Sequence, residues 1–312
     1  MEFNRPVPPP HASFGRRKLG RPRLLIVGCG DVGLRIVSRL AARFRLFALT
    51  STPARTLQLR AAGTVPIVGD LDSRRSLDRL RGLAHRVVHL APPANAGAVD
   101  ARSRRLVAAL RGTAQRAVYI STSGVYGDHG GRQIDETARL RPANDRAVRR
   151  TDAERVMRGR MHAAVLRVPG IYAHDRLPLD RLRQNLPALA QADDVYSNHI
   201  HADDLARITI LALFRGRATR VYNAVDDSAL RMAEYFDTVA DAIGLPRPPR
   251  LPRATLKSVV SPMMYSFMTE SRRLSNRRVR NELRVKLLYP TVASALATPH
   301  VQKTNSPAGL LG

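Results

Sequence analysis

Gly28, Gly30 and Gly33 form a G-x-G-x-x-G turn, a spacing that lets main-chain amides hold a diphosphate. An apolar run, Leu24–Gly28, leads into the turn, and an amphipathic stretch reaching Leu40 leaves it. Each glycine has a steric task. Gly28 makes the tight turn, Gly30 admits a pyrophosphate to close range, and Gly33 lets helix pack on strand. The phosphates would rest on unpaired amides at a positively polarised helix end. Gly28, Gly30, Asp31, Val32 and Gly33 are therefore the candidate cradle for a dinucleotide.

The residues after the next apolar run, Leu46-Phe47-Ala48-Leu49, bear on which dinucleotide it is. An NAD site places an acid about 20 positions beyond the glycines, to take the ribose 2′-hydroxyl. This chain has Thr50-Ser51-Thr52-Pro53-Ala54-Arg55 there and no carboxylate. Thr50, Ser51 and Arg55 suit a 2′-phosphate, because guanidinium pairs with phosphate in a planar fork and a carboxylate would repel it. NADP is expected ahead of NAD. Arg35 is a second candidate for that phosphate.

The elements around these residues follow from apolar patterning. Strands are expected at Leu24–Gly28, Leu46–Thr50, Val65–Gly69, Arg86–Ala91, Ala117–Ser121 and Ala163–Val168, with helical stretches at Ser73–Leu83, Asp100–Arg111 and Asp152–Arg158. Asp72 or Ser73 would cap the first of these helices. Such alternation implies an α/β fold, a Rossmann-type doubly wound parallel sheet with a smaller, mostly C-terminal substrate subdomain. Beyond Gly170 the regularity loosens. Val195–His201 reads as extended, Asp203-Asp204 opens a helix running to Phe214 with Asp203 as its cap, Arg220–Asn223 is a short strand, and a helix lies near Leu230–Ile243. The expected organisation is a basic arm over 1–21, a dinucleotide domain over 22–175 to which 195–225 returns, a substrate subdomain from 176–194 and 226–295, and a tail over 296–312.

Composition excludes some functions. In 312 residues, 52 Lys+Arg face 25 acids, a formal charge of +27, and only four of the cations are lysine. The arginines are spread through every segment without aromatic-basic interleaving or zinc-ligand spacing, which argues against a specific nucleic-acid partner. Salt-sensitive attraction to polyanions is expected all the same. The single cysteine, Cys29, rules out a disulfide framework or multi-cysteine metal site, and no metal is expected. No stretch has the length of a membrane span. Met1–Arg21 lacks the apolar core of a secretory signal, so a cytoplasmic protein is expected.

Several segments together resemble the extended short-chain dehydrogenase/reductase family of epimerases, dehydratases and reductases, over about residues 24 to 295. They are the glycine turn, Gly69-Asp70-Leu71, His89-Leu90-Ala91-Pro92-Pro93, Ile120-Ser121-Thr122-Ser123-Gly124-Val125-Tyr126-Gly127, Arg167-Val168-Pro169-Gly170-Ile171-Tyr172, His199-Ile200-His201-Ala202-Asp203-Asp204-Leu205-Ala206, Tyr222-Asn223 and Ser275-Asn276-Arg277-Arg278 with Glu282-Leu283. The resemblance implies that Asp70 and Leu71 meet the adenine and that Ala91, Pro92 and Pro93 pass beneath the pyrophosphate and nicotinamide ribose. It also implies that Pro169 lies beside the nicotinamide and that the Thr122 hydroxyl bonds the reacting oxygen. It makes homodimer formation through the helices flanking the sheet a family expectation.

One departure bears on the chemistry. The family carries Y-x-x-x-K on the helix after the fifth strand, with Glu four residues beyond the Lys. Anchoring on Glu154 places Arg150 at the Lys position and Arg146 at the Tyr position. Arginine stays protonated and cannot act as a general base at neutral pH. Four apart on one helix face, Arg146 and Arg150 could instead clamp an anion or steady an oxyanion, or simply form a solvated face. Tyr126, Tyr172 and His174 are possible proton donors, and His201 belongs to a scaffold string. The chain thus resembles an atypical family member, an oxidoreductase or epimerase-like enzyme passing hydride to or from a small carbonyl or alcohol. The alternative is a non-catalytic NADP(H) sensor or scaffold.

Overall fold

The computed structural model describes residues 20–298. Seven strands form one wholly parallel sheet: β1 (Arg23–Val27), β2 (Arg45–Thr50), β3 (Val65–Val68), β4 (Arg86–His89), β5 (Arg116–Thr122), β6 (Ala164–Val168) and β7 (Val221–Asn223). Their order is β7-β6-β5-β4-β1-β2-β3. The chain therefore runs outward from β1 to β3, then returns to place β4 on the other side of β1. Two connections diverge above that β1/β4 boundary, which is where open α/β sheets form a ligand crevice.

Both faces of the sheet are covered, so the strands read as continuous apolar runs rather than alternating ones. Alternate residues supply the two cores. Leu24 and Ile26 pack with Ile36, Val37 and Leu40 of the helix Asp31–Leu40 and with Leu205, Ile208 and Ala212 of the helix Ala202–Arg215. Leu25 and Val27 pack with Leu106 and Leu110 of the helix Ala101–Leu110 and with Ala153 and Met157 of the helix Asp145–Met161. A third apolar cluster joins Tyr172 and Leu182 to Phe236 and Val239 of the helix Met232–Ala242 and to Val292.

The six expected strands of the sheet form within about two residues of their predicted limits. The helix expected over Ser73–Leu83 does not. Only a short 3₁₀ stretch, Arg75–Leu80, stands there, with no side-chain cap. The Asp72 carboxylate is drawn instead to Arg102 and Arg105, and the Ser76 hydroxyl is taken by the backbone of Asp70 and Ser73. The helix expected from Asp152 begins seven residues earlier, at Asp145, capped by the Asn144 side chain on the Ala147 amide at 3.0 Å. Its arginine-covered outer face conceals the apolar period. Asp203 is not a cap either. His201 Nδ1 accepts from the Asp203 amide at 3.2 Å, while the Asp203 carboxylate pairs with Arg35 and Arg39.

Among the described residues no helix is long and apolar enough to cross a membrane. The basic arm expected over 1–21 and the tail over 296–312 fall almost wholly outside the described residues.

Candidate functional site

At the β1/β4 boundary the three glycines meet different surroundings. Gly28 has φ +81°, and a Cβ there would lie 2.7 Å from the Ala91 amide nitrogen. Only glycine lets β1 turn while the exit of β4 passes directly beneath it. That exit is fastened by Leu90 and Ala91 amides donating to the Val27 carbonyl at 2.8 and 3.1 Å. At Gly33 a Cβ would meet Cys29 Sγ at 3.0 Å and Leu90 Cδ1 at 3.3 Å, which is the close seating of helix on strand. Around Gly30 a Cβ would find nothing within 4 Å. Gly30 offers no side-chain cap, so the first-turn amides of Asp31, Val32 and Gly33 lack an intrahelical partner. Open space over unpartnered amides fits a diphosphate.

The residues expected to choose the dinucleotide lie along the same edge. Thr50 Oγ1 accepts from the Thr52 amide at 3.2 Å and fixes the end of β2, and Ser51 is exposed. Among the described residues Arg55 has no carboxylate partner. Its Nε and Nη2 reach only Gln58 Oε1, at 3.3 and 3.2 Å. Burial pushes the Cys29 thiol up to about 11, and the Arg55 charge opposes that rise. Arg35 is different: it is committed to Asp31, Asp175 and Asp203 and has no place at a 2′-phosphate. Asp31 is held by Arg35 and Arg176 at 2.9 and 3.0 Å. Asp70 is exposed at the end of β3 with its carboxylate on the Asp72 amide, and Leu71 is buried behind it. Pro92 and Pro93 continue from Ala91, each carbonyl accepting from Arg102 at 3.4 Å.

Beside the C-terminal ends of β5 and β6 opens a cavity of about 810 Å³. Thr122 and Pro169 line it from the sheet, Arg146 from the long helix, and Tyr196, His199, Tyr235, Phe236 and Phe267 from the later chain. Thr122 Oγ1 accepts from the Gly124 amide at 3.2 Å, so the capping role weighed from the sequence is real. The hydroxyl hydrogen remains available to an oxygen in the cavity. Arg146 is exposed to the cavity with its guanidinium 5.6 Å over the Phe267 ring and makes no ion pair among the described residues. Arg272 and Glu270 neutralise each other at 2.7 Å along the same wall.

Other sequence candidates lie elsewhere. Arg150 turns away from Arg146 and into the body of the domain, where Nη1 donates to the Ile120 carbonyl at 2.8 Å and to Tyr119 OH at 3.0 Å. Tyr126 does not reach the cavity. It is fully buried, its hydroxyl donates to Asn223 Oδ1 at 2.7 Å, and Arg167 covers its ring. Burial pushes its phenol up to about 12, against the Arg167 charge. Tyr172 is likewise buried, with its pKa raised by burial and by Asp226. His174 opens a short 3₁₀ turn to Arg176, and the His201 ring lies 3.9 Å from that of Tyr289, tilted by 37°, with burial pulling its pKa down to about 4.

His199 stands in a string quoted for the resemblance but is not among the candidate site residues of the sequence. Its ring stacks on Tyr235 at 4.1 Å, its Nε2 meets Ser197 Oγ at 3.2 Å, and burial pulls it down to about 3, which keeps it neutral. Tyr196, Tyr235, Phe236 and Phe267 were missed with it, because they come from separate segments that share no spacing.

No family model and no curated protein matches the chain. Solved structures do. A conserved protein of unknown function from Silicibacter pomeroyi superposes with a TM-score of 0.75 at 26% identity, covering 88% of this chain and 96% of that one. A human epimerase-family protein with NADPH gives 0.69 at 19% identity, covering 88% and 97%. The UDP-glucuronic acid 4-epimerase of Bacillus cereus, in complex with NAD, gives 0.68 at 16% identity, covering 88% and 95%. What these structures share with the chain is the Rossmann-type fold, over nearly all of their own length.

Proposed function

We propose that the chain is a nicotinamide-dinucleotide-binding protein of the epimerase/dehydratase type, with altered catalytic residues and a preference for NADP(H). The observation that carries this reading is the glycine turn, whose free first-turn amides face open space at the one point where the strand order reverses. The structures holding NAD or NADPH that share its fold support it. Arg55, which pairs with no carboxylate among the described residues and follows directly on the end of β2, supports NADP over NAD.

When bound, the dinucleotide would supply or accept a hydride. The chain's own residues would do the rest. Thr122 would donate its hydroxyl to the oxygen of a small carbonyl or alcohol in the cavity, and Arg146 would attract an anionic group on the same substrate. Neutral His199 and the surrounding rings would exclude water and seat an apolar portion. Pro169 and Ala91 would wall the passage between crevice and cavity, with Asp70 and Leu71 at the adenine end. Calorimetric titration with NADP and NAD tests the first half, and failure of both to bind would overturn it. A panel of carbonyl substrates with NADPH tests the second.

A non-catalytic sensor is the second reading. It is favoured by the burial of Tyr126 and by the backbone contact of Arg150, which take both side chains away from the cavity. It predicts dinucleotide binding with no turnover. Loss of a measured turnover in Thr122→Val would exclude it.

A further inference from the structure

Four neighbouring strands begin with arginine. Arg23 opens β1 opposite Arg45 of β2, and Arg86 opens β4 opposite Arg116 of β5. Because β4 also pairs with β1, with Arg86 opposite Leu24, both pairs stand on the N-terminal edge of the sheet, Arg23 and Arg45 toward one face and Arg86 and Arg116 toward the other. At about 4.8 Å per strand the edge spans roughly 14 Å. It lies at the opposite end of the strands from the glycine turn and the cavity.

The edge has no carboxylates to spare for them. None of the four arginines makes an ion pair among the described residues, and the sequence has no Asp or Glu from Val32 to Gly69 or from Ala101 to Gly127. Glu282, which reaches this edge at β7, is already engaged by Arg220. Arg116 uses one N–H on the Gly216 carbonyl at 3.0 Å and keeps the others. The Nε of Arg86 is buried without a partner.

Aromatic rings are set among these cations. The Arg86 guanidinium lies 5.9 Å from the Phe44 centroid and 5.6 Å from that of Phe214, and the two rings are 5.6 Å apart. Phe214 is 39% exposed. A concavity of about 260 Å³ adjoins them, lined by Arg21, Phe44 and Arg45 among others.

We infer that this edge binds single-stranded nucleic acid, as a second site separate from the dinucleotide crevice. Unpaired guanidiniums gathered on one sheet edge suit successive phosphates, and the exposed Phe214 ring beside Arg86 offers a face on which an unpaired base stacks. A duplex hides its base faces. An anionic lipid surface or a sulfated polymer would use the arginines and leave the phenylalanine faces without a stacking partner. The even spread of arginine along the sequence conceals this arrangement, because strand register alone brings the four together.

The test is fluorescence anisotropy of a labelled mixed-sequence oligonucleotide of about 20 residues, as RNA and as DNA, on the full chain between about 50 and 200 mM salt. The edge variant is Arg23→Gln/Arg45→Gln/Arg116→Gln. The control variant, Arg139→Gln/Arg160→Gln/Arg183→Gln, removes the same charge from exposed positions elsewhere. The edge variant should lose at least about tenfold in affinity, and its log–log salt slope should fall by about 2, or 0.7 for each lost phosphate contact. The control should stay within about threefold of the parent, and NADP binding should be unchanged in both. Equal losses in the two variants would show that total charge alone acts, and would overturn the proposal, as would an unaffected edge variant. Phe214→Ala keeps every charge. It should weaken oligonucleotide binding about fivefold or more while leaving affinity for inorganic polyphosphate unchanged. Equal competition by polyphosphate of matched charge, or by phosphatidylserine vesicles, would also overturn it. Binding of either RNA or DNA on these terms supports it.

Discussion

Adding one methyl group at Gly30 or at Gly28 should have opposite consequences, and the structure sets both magnitudes. At Gly28 an alanine would have to hold φ +81°, which costs about 1–2 kcal/mol. Its Cβ would also sit 2.7 to 2.9 Å from three atoms of Ala91, two of them backbone. Forcing the β4 exit aside adds about 1–3 kcal/mol of overpacking. The sum, about 2–5 kcal/mol, should lower the melting temperature by roughly 3–8 °C at this chain length. At Gly30 the backbone has φ −83° and the new methyl meets nothing within 4 Å, so stability should hold within about 0.5 kcal/mol. That methyl would, however, fill the space over the first-turn amides. Losing one or more charge-assisted contacts should weaken NADP binding by about 10- to 100-fold. Thermal melting with an NADPH fluorescence titration reads both. Unchanged NADP affinity in Gly30→Ala, or a parental melting temperature in Gly28→Ala, would refute the reasoning.

Arg55→Ala should narrow the preference for NADP over NAD by about tenfold or more, read from paired dissociation constants, with NAD affinity unchanged. Thr122→Val should keep dinucleotide binding and lower any carbonyl turnover, read from steady-state kinetics. Glu154→Gln should cost about 3–5 kcal/mol in urea unfolding, because Glu154 and Arg167 pair at 2.8 Å with both side chains almost fully buried, and the change leaves a buried guanidinium without its counter-charge. Stability should fall as the pH drops from 7 to 5, read from melting temperatures. Burial holds His89, His199 and His201 at about 3, 3 and 4, so they stay neutral while the unfolded chain takes up protons below about 6.5. Their contribution is complete above 6.5 and is lost as pH falls toward 4. Asp226, raised by burial to about 7, runs the other way, as one group against three.

Wherever a feature depends on neighbours in sequence, the residues announce it. The glycine turn needs only Gly28, Gly30 and Gly33 between a strand and a helix, and the strands of the sheet need only short apolar runs, because both faces are covered. The side-chain roles that were misread have distant partners. Asp72 and Asp203 are good caps by type, yet each is drawn off by arginines 30 or more residues away. Arg35 matches a 2′-phosphate by chemistry and is spent on three carboxylates. Tyr126 stands in the most telling string of the chain and is turned into the core, where Asn223 holds its hydroxyl.

The chain alone thus determined a βαβ start with a diphosphate-sized turn and no acid to receive a 2′-hydroxyl, since these are properties of contiguous residues and of backbone sterics. The folded structure decided what surrounds the cavity, where His199 is stacked on Tyr235 and Thr122 faces Arg146. It also decided that four arginines scattered from Arg23 to Arg116 share one edge. Packing and strand register set both, and neither leaves a trace in local spacing.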